Sequence, residues 1–208
     1  MSKGQEFLAR LREGVVIGDG ANGGRLFELG GDMSQGSEML NCTNASLVRQ
    51  VHLEYIEAGA EVIETNTFAA NRIRLAPYSI EDRAAEINRA GVEIARAAAG
   101  SRAFVSGSVG PTGLNPVVDD WDETQVRAAL REQISVLLEC GVDALHFETF
   151  PYLDELLLAV SEARALAGRD VPIIAQMVFG DGASPASGES AQEVASRLIR
   201  GGADVIGA

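Results

Sequence analysis

Short runs of nearly continuous apolar residues alternate along the chain with longer segments whose apolar positions recur every three or four residues. The runs cover 15–19 (VVIGD), 61–65 (EVIET), 103–108 (AFVSGS), 143–148 (DALHFE), 172–178 (PIIAQMV) and 204–207 (DVIG). Runs this short, rich in β-branched types and with little polar alternation, predict strands buried on both faces, hence a parallel sheet. Between them the spacing predicts helices over 45–58, 81–99, 122–140, 153–166 and 191–200. The first has Leu47, Val48, Val51, Tyr55 and Ile56 on one stripe behind Asn44 as N-cap, and the second has Ala84, Ile87, Ala90, Gly91, Ile94 and Ala98. The last opens on Ser190 with Glu193 three residues on, the spacing of a capping box. Residues 1–14 predict a charged amphipathic helix rather than a signal peptide.

Three junctions resemble one another: EAGAEVIET (57–65), ECGVDALHFET (139–149) and RGGADVIG (200–207). Each has a glycine to end a helix, then a small or branched residue, an acid and a strand. Such repeated αβ units predict one α/β domain over 1–208, as either a doubly wound open sheet or a (β/α)8 barrel. Six strands fall short of a barrel's eight, so a barrel ending at Ala208 is expected to be incomplete, with about six βα units.

Charge narrows the partners. The 208 residues hold 30 Asp+Glu against 17 Lys+Arg, a net charge of −13, and no basic patch, which argues against nucleic acid. No apolar run approaches a membrane span. Two cysteines, Cys42 and Cys140, are too few for a disulfide framework, and with no export signal the expected setting is cytoplasmic.

In either architecture ligands bind at the carboxyl ends of the strands, and here four such ends are polar. They are Asp19-Gly20-Ala21-Asn22, Glu64-Thr65-Asn66-Thr67, Ser106-Gly107-Ser108 and Glu148-Thr149. Four polar ends converging on one mouth predict a binding site. The stretch GDGANGG (18–24) matches G-x-G-x-x-G, but Asp19 stands where a pyrophosphate would approach and Glu64 lies too far on to hold a ribose. Asp19, Glu64 and Glu148 form a possible carboxylate cluster, suited to Mg²⁺, to acid–base work or to the ammonium of an amino acid. His52 and His146 lack metal-ligand spacing, and a lone strand histidine such as His146 reads as a packed residue.

In these motifs the chain resembles the homocysteine S-methyltransferase family, which includes the homocysteine-binding domain of methionine synthase and betaine–homocysteine methyltransferase. The stretches that carry the resemblance are GDGANGG (18–24), LNCTNASLV (40–48), EAGAEVIETNTFAANRIRL (57–75), GSVGPTG (107–113), GVDALHFETF (141–150) and GGADVIG (201–207), in the family's order. It looks most like the bacterial bifunctional form, whose N-terminal methyltransferase domain precedes a methylenetetrahydrofolate reductase domain.

The resemblance implies an incomplete (β/α)8 TIM-type barrel, the N-terminal part of a homocysteine-binding domain. It implies methyl transfer to a zinc-bound homocysteine thiolate, from a donor the sequence does not identify. By the same resemblance Asp19, Gly20, Thr65 and Glu148 line the amino-acid site, with Glu148 holding the substrate ammonium. The family's three zinc cysteines match neither Cys42 nor Cys140 and are expected beyond Ala208, so residues 1–208 alone are expected to be inactive. Asn22 and Gly24 depart from the family's first loop, D-G-A-M-G-T. The alternatives are a non-catalytic amino-acid-binding fragment and a Mg²⁺-dependent enzyme built on the three carboxylates.

Overall fold

The computed structural model describes residues 1–116, 119–180 and 185–208. Five parallel strands, β1 (Val62–Glu64), β2 (Phe104–Val109), β3 (Ala144–Phe150), β4 (Ile173–Met177) and β5 (Val205–Gly207), pair in strict sequence order. A doubly wound sheet would reverse its strand order partway across. Unbroken order with helices between successive strands instead keeps every crossover on one side, which is the construction of a (β/α) barrel. The sheet is an arc of such a barrel.

The first predicted strand is reduced. Residues 15–19 run beside β1 with a single bridge, Gly18 to Val62, and the backbone bonds Asp19 N to Val62 O (3.1 Å) and Glu61 N to Ile17 O (2.8 Å). Val15 and Ile17 lie exposed on its other side, so one row of hydrogen bonds, not two, fixes the segment.

The helices are α1 (Lys3–Glu13), α2 (Asn22–Glu28), α3 (Leu40–Thr43), α4 (Ala45–Glu57), α5 (Arg72–Leu75), α6 (Ala84–Ala99), α7 (Glu123–Glu139), α8 (Leu153–Ala167) and α9 (Ala191–Gly201). The predicted caps form: Asn44 accepts from Leu47 N, and Ser190 and Glu193 make a reciprocal capping box. The helix expected from residue 81 starts at Ala84, after a 3-10 turn over Glu81–Arg83. Its buried stripe keeps Ala84, Ile87, Gly91 and Ala98 but takes in Val92 and Ala95, while Ala90 and Ile94 are half-buried. GDGANGG is not an open glycine loop: Gly23 and Gly24 are inside α2, which sequence reasoning missed because glycine is a poor helix former.

The repeated junctions have a structural purpose. Gly59, Gly141 and Gly202 adopt the positive φ that ends each helix. The acid that follows then caps the start of a neighbouring strand. Asp143 Oδ2 accepts from Val105 N (2.8 Å) and Asp204 Oδ2 from Ile173 N (2.9 Å), and these carboxylates pair with Arg96 and Arg164.

Alternation along the strands separates two surfaces. Ile63, Val105, Leu145, Phe147, Ile173, Ala175 and Met177 face outward, fully buried against the helices in the main core. Val62, Phe104, Ala144, Ile174 and Val205 face the lumen at its amino-terminal end, where Phe7 of α1 packs edge-on against Phe104 at 5.3 Å. The N-terminal helix is therefore a plug for the barrel floor, tied by the ion pair of Arg10 with Glu61. Above that apolar floor the lumen turns polar.

Candidate substrate site

The carboxyl end of the sheet opens on a cleft of about 460 Å³ lined by Asp19, Gly20, Asn22, Glu64, Thr65, Ser108, Glu148 and Thr149, among others. All four site residues expected from sequence line it. Beneath, a lumenal cavity of about 390 Å³ shares Asp19, Glu64 and Glu148 with the cleft and adds Ser106, His146 and Gln176.

Asp19 is placed by its pairing with β1, its Oδ2 accepting from Glu64 N at 2.9 Å. Burial, reinforced by the nearby Glu64 carboxylate and only partly offset by hydrogen bonds, pushes its carboxyl up to about 7. Gly20 lets the loop lie on Tyr55: a Cβ there would stand 3.0 Å from the ring and its hydroxyl. The Tyr55 hydroxyl donates to Ala21 O at 3.3 Å, fixing the turn into α2.

Glu148 sits at a discontinuity of β3, whose register against β4 shifts between Phe147 and Phe150. The next residue, Thr149, has φ +62°, a left-handed conformation that β-branched residues avoid. Alternation from Ala144 and His146 puts Glu148 at the lumen mouth, where its Oε1 accepts from Ser108 Oγ at 2.5 Å. Burial and the charge of Glu64 raise its carboxyl to about 7. Among the described residues neither Asp19 nor Glu148 has a Lys or Arg partner.

Thr65 lines the cleft and also ties two strands together. Its hydroxyl is buried, accepts from Ser108 N at 3.0 Å and lies 2.6 Å from Thr67 Oγ1, which donates to Ser108 O at 2.7 Å. The side chain lines the cleft but mainly laces β1 to β2. The loop after it is held from behind by buried amides. Asn66 donates to Ser37 O, Asn41 to Asn66 O, and Gln133 to Thr67 O. Asn41 and Gln133 lie on helices far along the sequence, so nothing local signals this support.

His146, read from sequence as a packed residue, points into the lumen and pairs through Nδ1 with Glu64 Oε1. Alternation along DALHFE carried the signal, because it puts 144, 146 and 148 on one face. Burial alone would raise Glu64, but the hydrogen bond and charge of His146 outweigh it and hold the carboxyl below its ordinary value. Conversely, Glu64 and Glu148 raise His146 against the effect of its burial.

No three or more His, Cys, Asp or Glu among the described residues are arranged to hold a metal ion. The two thiols do not fit a thiolate zinc centre either. Cys42 packs beside Met39 and Ala84, Cys140 lies by Arg89 at the end of α7, and burial raises both thiols toward the protonated form. Neither lines the cleft.

Among the described residues, no helix is long and apolar enough to cross a membrane. The sequence profile of the homocysteine S-methyltransferase family matches residues 16–208. Methionine synthase of Mycobacterium tuberculosis is 35% identical over 187 residues, covering 83% of this chain and 16% of that protein. The S-methylmethionine–homocysteine S-methyltransferase BHMT2 of Rattus norvegicus is 34% identical over 206 residues, covering 96% of this chain and 53% of that protein. The chain thus spans about half or less of these relatives. In fold it matches the metallated homocysteine methyltransferase MmuM of Escherichia coli with a TM-score of 0.78 at 23% identity, over 93% of this chain and 74% of MmuM. With the profile covering nearly the whole chain and a relative above 30% identity, this protein belongs to the homocysteine S-methyltransferase family.

Proposed function

We propose that residues 1–208 form one unit that holds homocysteine by its amino-acid end for methyl transfer to the sulfur. The observation that carries this reading is the pair Asp19 and Glu148, two half-buried carboxyl groups at separate strand ends facing one cleft, with no Lys or Arg partner among the described residues. Carboxyl groups raised to about 7 are poised to ionise when a cation arrives, and an α-ammonium group supplies one. Gly20 keeps the loop backbone low enough to admit the ligand, and Thr65 holds the cleft wall.

Zinc-bound thiolate chemistry, which the family resemblance implies, has no fitting ligands here, since Cys42 and Cys140 stand off the cleft. Our reading assigns those ligands, and the groups that receive the methyl donor, to residues outside 1–208. Methyl transfer by this chain alone is expected to be absent, and zinc-dependent methionine formation by it would overturn that assignment.

Calorimetry with homocysteine or methionine tests the cleft. Binding without zinc is expected, weakened about 10- to 100-fold by Glu148→Gln, the range for losing a hydrogen bond between charged groups. Wild-type protein that gives no binding heat with either amino acid would sink the reading. The pH dependence adds a second check. Asp19 and Glu148 are ionised above about 7 and protonated below it, so affinity should rise about tenfold or more from pH 6 to pH 8.

A further inference from the structure

Three carboxyl groups, Asp19, Glu64 and Glu148, face the lumenal cavity, and His146 is the one base among its described lining residues. The elements around that base bring no other charge. Helix α1 contributes Phe7 and Leu11, β2 contributes Ser106, β4 contributes Ile174 and Gln176, and β5 contributes Val205. His146 engages Glu64 through Nδ1, while its Nε2 has no protein partner. We infer that His146 is a positioning residue for the cleft: its imidazolium takes up the charge of Glu64, leaving Asp19 and Glu148 as the carboxylates that meet a substrate ammonium.

The geometry gives each acid a different neighbour. Glu64 pairs with His146 Nδ1, and its charge also bears on Glu148, whose Oε1 accepts from Ser108 Oγ. With His146 charged, Glu64 stays ionised, while Glu148, raised by burial and by that charge, keeps its own proton until an ammonium group arrives and then gives it up to solvent. Without the imidazolium, Glu64 and Glu148 become two like acids in one buried site. One of them must then stay protonated, as like charges in such a site cannot both ionise. The cleft would then present less negative charge to the ligand at neutral pH. The separation of roles is set by β1 and β3 alone, since Glu64 and His146 come from strands two apart across β2.

The inference rests on the amino-acid reading of the cleft, and two measurements separate them. The first needs no ligand. With only His52 and His146 in the chain, NMR can follow each ring through a pH titration. His52 is fully buried and held down to about 4, which tells the two apart. His146 should titrate above the ordinary 6.5 and move down by about one unit or more in Glu64→Gln. An unmoved titration overturns the inference.

The second measurement is methionine binding at pH 7.5 by His146→Gln, which keeps a hydrogen-bond donor but removes the charge, and by the double variant Glu64→Gln/His146→Gln. We expect about tenfold weaker binding in the single variant and recovery to within about threefold of wild type in the double, by removal of the unbalanced charge. If His146 only packs, the second substitution restores nothing. Intact wild-type binding without rescue thus overturns the His146 role alone. No binding by wild type overturns the amino-acid reading, and the role with it.

Discussion

The same strands carry two surfaces that obey opposite rules. On the outer face Ile63, Val105, Leu145, Phe147 and Ile173 are fully buried hydrocarbons against helices. On the inner face, one residue away along the chain, Glu64, Ser106, His146 and Glu148 bring partly or fully buried polar groups to a cavity. Several polar atoms there lack partners, among them Ser106 Oγ and His146 Nε2. The outer face gains stability from burial. The inner face gives stability up, because the carboxyls of Asp19 and Glu148 are partly stripped of water and held toward the protonated form. Strand alternation lets one sheet do both, and substitutions on each face measure the difference.

The largest expected effect is on the outer face. Phe147→Ala should destabilise the fold by about 3–5 kcal/mol, the cost of emptying an aromatic site in a close-packed core. Ser106→Ala, one strand over on the inner face, should cost less than about 0.5 kcal/mol, because it removes a buried hydroxyl with no hydrogen-bond partner. Urea midpoints of both variants at constant slope give the comparison. A large loss from Ser106→Ala would show that the lumen is also a stability element.

Sequence patterning made the outer face legible and the inner face only partly so. Five predicted strands and the long helices stand because their apolar spacing is the cause of their burial, as in the α4 stripe of Val48, Val51 and Ile56. The acids at the strand ends were equally visible, since Asp19 and Glu148 close their runs. Three features depend on long-range geometry that spacing does not encode. Residues 15–19 read as a strand, but only one edge finds a partner. Thr65 lines the cleft, but its bonds to Ser108 and Thr67 are not signalled by its spacing. His146 read as a packed side chain, and its pairing with Glu64 becomes visible only when β1 and β3 are curled around one lumen.

The next effect runs in the opposite direction to Phe147→Ala. Asp19 binds its proton more tightly folded, at about 7, than unfolded, near 3.8. Between those values the folded state holds more protons than the unfolded one, so stability falls as pH rises through this window. Asp19→Asn removes that loss while leaving an oxygen to accept from Glu64 N. It should stabilise the fold by about 2 kcal/mol at pH 8 and leave it nearly unchanged at pH 4, allowing for incomplete burial. Glu148→Gln should behave alike over a window from 4.5 to about 7. Chemical denaturation at the two pH values decides it, and a gain that does not depend on pH would mean that charge is not its source. Stability gained while ligand affinity is lost is the expected mark of a functional surface.

A further small effect isolates backbone from charge. Thr149 holds φ +62° in the irregularity beside Glu148, and it is a residue that could be glycine without penalty to that angle. A β-branched side chain in this region is strained by about 1 kcal/mol or more, whereas glycine adds back part of that as unfolded-state entropy. Thr149→Gly should therefore raise stability by only about 0.5 kcal/mol, with no dependence on pH. Its effect on ligand affinity should be a fall of less than about fivefold, since the bulge register is set by the Val178 N to Phe150 O bond (2.9 Å) rather than by the threonine. A much larger loss of affinity would mean that the threonine side chain, which lines the cleft, itself touches the ligand.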